Sequence, residues 1–159
     1  MPVELADIVA SVAAEHSVPG VATGVLTYGG DTIVASHGIT NVEHPLAVDE
    51  HTLFQVASIT KTFTSAAVML LVESGDVSLD DPVTRHLPGL EHETWLDVDA
   101  ITIEHLLSHQ AGFDGDHLFV NRVTDSLRPL REARRLFPPG EGFSYNNAAF
   151  SIAGELIAA

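Results

Sequence analysis

Two short motifs carry groups able to break an acyl bond. Ser58-Ile59-Thr60-Lys61 is a Ser-x-x-Lys at the start of a segment that reads as a helix. The i, i+3 spacing puts both side chains on one helical face, within reach of each other. A serine hydroxyl attacks a carbonyl poorly until a base takes its proton. A lysine held among apolar groups or beside another cation loses its own proton more readily, so a neutral amine is a candidate for that base. The helix N-terminus adds free N–H groups and positive potential where an oxyanion would form. The second motif is Tyr145-Asn146-Asn147, a Tyr-x-Asn directly before the last helical stretch. A phenol beside an ammonium ionises more easily, so Tyr145 can relay the serine proton and later protonate a leaving group. Asn147 offers an amide able to bind both Lys61 and a substrate carbonyl. Each motif alone is common and often structural. What singles out the first is that Lys61 is the only lysine in the chain.

The rest of the composition bounds the setting. Seven basic residues stand against 22 acidic ones over 159 residues, a formal charge of −15. That excludes nucleic-acid phosphate or an anionic membrane surface as the default partner. No cysteine is present, which removes disulfides, thiolate metal sites and a cysteine nucleophile together. An apolar share of 45% and a mean hydropathy of +0.20 describe a core-forming chain. The longest apolar run, Ala66 to Val72, is far short of the ~20 residues that a membrane span needs. No signal peptide is visible at Met1-Pro2-Val3-Glu4, and the expected location is cytoplasmic. Six of the seven basic residues are Arg, and an acidic surface nearly empty of Lys suits a salt-rich cytosol, where repulsion is screened.

Elements that must position the motifs can be read from periodicity. Leu5, Ile8, Val9 and Val12 recur at helical spacing up to Pro19-Gly20. Val21 to Tyr28 and Thr32 to Ile39 are β-prone runs around Gly29-Gly30-Asp31, a hairpin. From Ser58 a long helix is expected to present Phe63, Ala66, Ala67, Leu70 and Leu71 on one apolar side and to stop at Gly75. Short helices follow, from Asp80-Asp81-Pro82 to Leu87 and over Thr102 to His109. Gly112 to Val120 reads as a loop. Arg122 to Arg135, with Leu127, Leu130 and Leu136 interleaved, reads as an amphipathic helix. A last helix runs from about Asn147.

Taken together and in order, these residues resemble the serine β-lactamase and penicillin-binding-protein-like hydrolase superfamily, in its class C β-lactamase, esterase and D-aminopeptidase branch. The match includes Phe54 to Thr64, Leu71-Val72-Glu73-Ser74-Gly75, Leu79-Asp80-Asp81-Pro82-Val83 and His86-Leu87-Pro88. It continues through Ile101 to His109 and ends with Pro139-Gly140 and Phe143-Ser144-Tyr145-Asn146-Asn147. The resemblance implies an α/β (α+β), β-lactamase-like fold: a helical domain plus the first hairpin of a central antiparallel sheet, with the C-terminal strands missing. One partial domain over 1–159 is expected, with the N-terminal helix and hairpin in 1–57 and the mainly helical part in 58–159. Ser58 would be the acylated nucleophile, Lys61 its activator, Tyr145 the partner base and Asn147 a substrate-positioning amide. The substrate would be a small molecule, peptide or ester, since β-lactam, D-amino-acid peptide and simple ester share these two motifs. No cofactor is implied.

Two departures from the family pattern stand out. His109-Gln110-Ala111-Gly112 replaces the usual His-Thr/Ser-Ser-Gly. Relatives also continue past this length with further strands and a third motif, Lys/His-Thr/Ser-Gly, whose strand supplies the second oxyanion donor. The expectation is therefore the N-terminal portion of a longer hydrolase, inactive alone, whose partner is a complementary C-terminal chain or a second copy. The rival reading is a non-catalytic fragment. A third reading is metal binding: His105 and His109 are spaced i, i+4, with Asp114, Asp116 or His117 as a third ligand, but no His-Glu-x-x-His surrounds them, and the expected answer is no metal. The remaining histidines, His16, His37, His44, His51, His86 and His92, read as solvated.

The charge balance makes a measurable claim about salt. Circular dichroism melts should show the melting temperature rising from dilute buffer to molar KCl as surface repulsion is screened. A flat or falling melting temperature removes the halophilic reading.

Overall fold

The described residues, 4–90, 97–115 and 133–159 of the computed structural model, fall into two units, Met1–Gln55 and Val56–Ala159. In the first unit, α1 (Leu5–Glu15) buries Val9 and Ala13 and packs on a two-stranded antiparallel sheet of β1 (Gly20–Leu26) and β2 (Thr32–Gly38). The register pairs Gly20 with Gly38 and Leu26 with Thr32. The hairpin forms where the glycines ask for it, but with a five-residue loop. Thr27 N–H donates to the Asp31 carbonyl at 2.8 Å and Gly30 N–H to the Thr27 carbonyl at 3.0 Å. At the other end of the hairpin the backbones crowd. Gly38 sits at φ 83, and a Cβ there would strike the Pro19 carbonyl, so only glycine fits.

The second unit holds the motifs. A 3₁₀ turn over Ala57–Ile59 leads into α2 (Thr60–Ser74), which stops at Gly75 in the left-handed conformation, φ 83. Two short helices follow, α3 (Val83–His86) and α4 (Ile103–Leu107), and α5 (Asn147–Ala158) closes the unit. Both α2 and α4 pack on α5. The core joins Val68 of α2, Val83, Ile101, Ile103, Leu106, Phe113 and the buried face of α5 formed by Ala148, Ala149, Ile152, Ala153 and Leu156. Among the described residues, no helix is long and apolar enough to cross a membrane.

Several expectations are corrected by this packing. Phe63 and Leu70 are 69% and 65% exposed, and the residue that α2 buries is Val68. The cause is composition: α2 is apolar all round from Ala66 to Val72, so periodicity does not choose a face there and contact with α5 does. Arg134 and Arg135 are not helical. Asp114 N–H donates to the Arg134 carbonyl, Phe113 bridges Arg135, and Leu136 N–H donates to the Gly112 carbonyl. Residues 122–132 of the expected amphipathic helix, and 116–120 of the expected loop, lie outside the described residues.

His86 is not solvated either. Its Nε2 lies 2.8 Å from Asp81 Oδ2, which also accepts from the Ser78 N–H at 2.9 Å, while Arg85 binds Asp81 Oδ1. Asp81 is buried, and its own carbonyl accepts from the Ile103 N–H. Asp81 therefore fastens the turn before α3 through its carboxylate and reaches the start of α4 through its backbone carbonyl. The hydrogen bond to His86, then that from Ser78, holds its carboxyl below the ordinary 3.8. A carboxyl depressed in the fold contributes stability that is complete above the unfolded value and is lost as pH falls through the folded one. Asp81→Asn should lower the melting temperature at neutral pH by several degrees and flatten the loss of stability below pH 3.8. An unchanged melt, read by circular dichroism, would show the cluster to be decorative.

Candidate functional site

Local sequence explains why the four motif residues meet. Ser58 lies in the 3₁₀ turn that opens α2, and Lys61 is one turn further on. Ala57, just before the serine, is held at φ 47, a left-handed conformation that costs a non-glycine residue about 1–2 kcal/mol. Tyr145 and Asn147 flank Asn146, the N-cap of α5. Asn146 is 1% exposed and both ends of its side-chain amide are bonded: Oδ1 accepts from the Ala149 N–H at 2.8 Å, and Nδ2 donates to the Phe113 carbonyl at 2.8 Å. Its backbone N–H donates to His109 Nδ1 at 3.0 Å. A Cβ on Gly115 would run into the Asn146 side chain, so the loop can approach the cap only with glycine there.

The distances rank the contacts. The Tyr145 hydroxyl donates to Ser58 Oγ at 2.7 Å, the usual separation for a hydroxyl pair. Lys61 Nζ is 3.4 Å from the same Oγ, which is long for an N–H···O bond, but donates to Asn147 Oδ1 at 2.6 Å. The ammonium nitrogen also lies 4.8 Å from the Tyr145 ring centre and 5.5 Å from that of Phe150. Lys61 therefore sits against Asn147 and the faces of two rings, and Tyr145 is the group in contact with the serine. The phenol is held below its ordinary 10.0, chiefly by hydrogen bonding to Lys61, then by Ser58, against a smaller opposing effect of burial. The sign favours an ionised phenol at lower pH than an isolated tyrosine allows. An open cleft of about 380 Å³ runs along Ser58, Lys61, Thr64, Asn147 and Phe150, large enough for a small substrate.

Three contributors were not singled out as site residues in the sequence. Asn146 was the middle residue of Tyr-x-Asn, although an Asn before an apolar helix is a recognisable cap. Phe150, inside the last helix, flanks Lys61. As a candidate site residue, His109 enters the sequence reading only as a metal ligand beside His105. The structure ends α4 at Leu107 and places His109 at φ 62, so His105 and His109 do not share a helix. His105 Nδ1 accepts from the Thr102 N–H, completing a capping box, and His109 Nδ1 accepts from Asn146. Both ring acceptors are thus engaged. Among the described residues no three His, Asp or Glu side chains converge on a common point; Asp116 and His117 lie outside them.

Comparison with known proteins places the chain in a family. The model of the Beta-lactamase family matches residues 5–159. A Beta-lactamase from Yersinia enterocolitica is 32% identical over 146 residues, covering 89% of this chain and 36% of the relative. The octameric penicillin-binding protein homologue from Pyrococcus abyssi superposes with a TM-score of 0.76 at 30% identity, over 94% of this chain and 36% of that one. The D-amino acid amidase from Ochrobactrum anthropi SV3 shares the fold, with a TM-score of 0.78 at 24% identity over 95% of this chain and 44% of that one. The chain spans 30% to 39% of the length of the curated relatives it matches.

Proposed function

Since this chain belongs to the Beta-lactamase family, among the serine hydrolases related to β-lactamases and penicillin-binding proteins, we propose that Ser58 is its acylated nucleophile. The observation that carries the reading is the 2.7 Å contact between the Tyr145 hydroxyl and Ser58 Oγ, beside a lysine that lowers the phenol. Tyr145 in its phenolate form takes the Ser58 proton as Oγ bonds to the carbonyl carbon. The same phenol then hands that proton to the departing nitrogen or oxygen, leaving an ester on Ser58. Water, deprotonated in the same way, releases the acid and restores the hydroxyl. Lys61 stabilises the phenolate as a nearby cation, and Asn147 fixes Lys61 through its carbonyl oxygen while its NH₂ group can meet a substrate carbonyl. The Ser58 N–H, in the 3₁₀ turn that opens α2, is one oxyanion donor.

The substrate class is an amide or ester acyl donor: a β-lactam, a D-amino-acid peptide or a simple ester. The relatives bear the names of a β-lactamase and a D-amino acid amidase. Sustained turnover needs a second oxyanion donor, whose loss typically costs ~10²–10³ in rate. The matched segment corresponds to the N-terminal part of the relatives, so that donor is proposed to come from a complementary C-terminal segment. The rival, a non-catalytic fragment, is favoured by the exposed apolar side of α2 at Phe63 and Leu70. A penicillin or fluorophosphonate probe separates them. The chain should take up one adduct, mapped by peptide mass spectrometry to Ser58 and absent from Ser58→Ala, and co-expression with a relative's C-terminal half should raise nitrocefin or p-nitrophenyl ester turnover. An adduct on another serine, or no adduct under either condition, contradicts the proposal.

A further inference from the structure

We propose that His109 is the positioning residue of Tyr145, clamping the backbone on both sides of the phenol so that its hydroxyl stays on Ser58. The inference rests on the reading of Tyr145 as the base.

Three contacts converge on one short segment. The His109 carbonyl accepts from the Ser144 N–H at 3.0 Å, and its Nδ1 accepts from the Asn146 N–H at 3.0 Å. These are the residues immediately before and after Tyr145. The imidazole ring lies 4.5 Å from the Tyr145 ring at an interplanar angle of 31°, and 5.2 Å from that of Phe150. One residue reaches the segment with both its carbonyl and its ring because its backbone is left-handed, φ 62, a conformation in which His, Asn and Asp are enriched among non-glycine residues. Asn146 is buried, so its N–H has no water to replace the imidazole acceptor.

The ring must be neutral to accept at Nδ1, with its proton on Nε2. Burial, and then the charge of Lys61, hold it below the ordinary 6.5. The acceptor is thus in place throughout the alkaline range in which the phenol ionises. Among the described residues, no hydrogen bond joins His109 to Ser58 or to Lys61. Its influence on the serine therefore passes through Tyr145, and its removal should change where the phenol sits and hence how it titrates.

The chain holds two tyrosines, Tyr145 and the fully exposed Tyr28, so phenolate absorbance can be read residue by residue. Titration of the whole chain should show an early step, below the ordinary 10.0 and missing in Tyr145→Phe. His109→Asn retains a residue suited to the left-handed backbone and supplies a side-chain carbonyl acceptor, so it should keep the early step. His109→Phe keeps a ring but no acceptor, and His109→Leu keeps neither; in both, the early step should move up towards the ordinary phenol value of 10.0. The rate of Ser58 labelling should fall about tenfold in those two variants, part of the ~10²–10⁴-fold contribution of a positioned base. Circular dichroism identifies the variants that remain folded, and the Asn and Phe pair decides the matter if the Leu variant unfolds. An early step retained by folded His109→Phe, or lost from folded His109→Asn, overturns the acceptor role. A single late step in the unmodified chain instead overturns Tyr145 as the base and takes this inference with it.

Discussion

One buried amide sets the geometry of the site. Asn146 caps α5 through Ala149, holds the Phe113 loop through its NH₂ group and donates its backbone N–H to His109. Its neighbours in sequence are Tyr145 and Asn147, which therefore leave the cap in fixed directions, one reaching Ser58 and the other Lys61. Interactions of this kind act through what their loss leaves behind, since a buried amide stripped of partners costs about 1–3 kcal/mol for each unsatisfied group. Gly115 follows from the same constraint, and Gly112 from a separate backbone approach nearby. The first leaves room for the Asn146 side chain, and the second, at φ 79, lets the loop lie against the Phe137 carbonyl.

The electrostatics are built on that frame. Lys61 contributes its charge from a position fixed by Asn147, 86 residues away in sequence, and the phenol responds by ionising more readily. The serine touches the phenol more closely than the amine, at 2.7 Å against 3.4 Å. This favours a division of labour in which one group moves the proton and the other makes that movement easier. A neutral lysine base, the first chemistry that Ser-x-x-Lys suggests, is the less direct arrangement here. His109 belongs to the same frame, kept neutral by the burial that lets it hold Asn146.

What could be read from sequence was what is local. The i, i+3 spacing of Ser58 and Lys61, the cap-like placement of Tyr-x-Asn and the glycine-marked hairpin all rest on contacts or conformations within a few residues. The buried face of α2 was not legible, because Phe63, Met69, Leu70 and Leu71 offer apolar surface in several directions and only α5 chooses among them. Arg134 and Arg135 looked helical from charge and leucine spacing, yet pairing with residues 112–114 claims their backbone. The partners of His86 and His109 were hidden for different reasons. Asp81 is near His86 in sequence, but a histidine five residues from an aspartate carries no pattern. His109 meets Asn146 across 37 residues, with nothing in either neighbourhood to announce it.

The claim at the centre of this account is that the Tyr145 hydroxyl moves the Ser58 proton. The most direct measurement is the rate of Ser58 acylation by a fluorophosphonate across a pH series, comparing the unmodified chain with Tyr145→Phe, which removes one oxygen and leaves the ring. The rate in the unmodified chain should rise with pH and level off below the ordinary phenol value of 10.0. The Phe variant should be slower by ~10²–10⁴-fold and should lose that rise. A Phe variant that acylates at the unmodified rate, with the same pH dependence, would contradict the account.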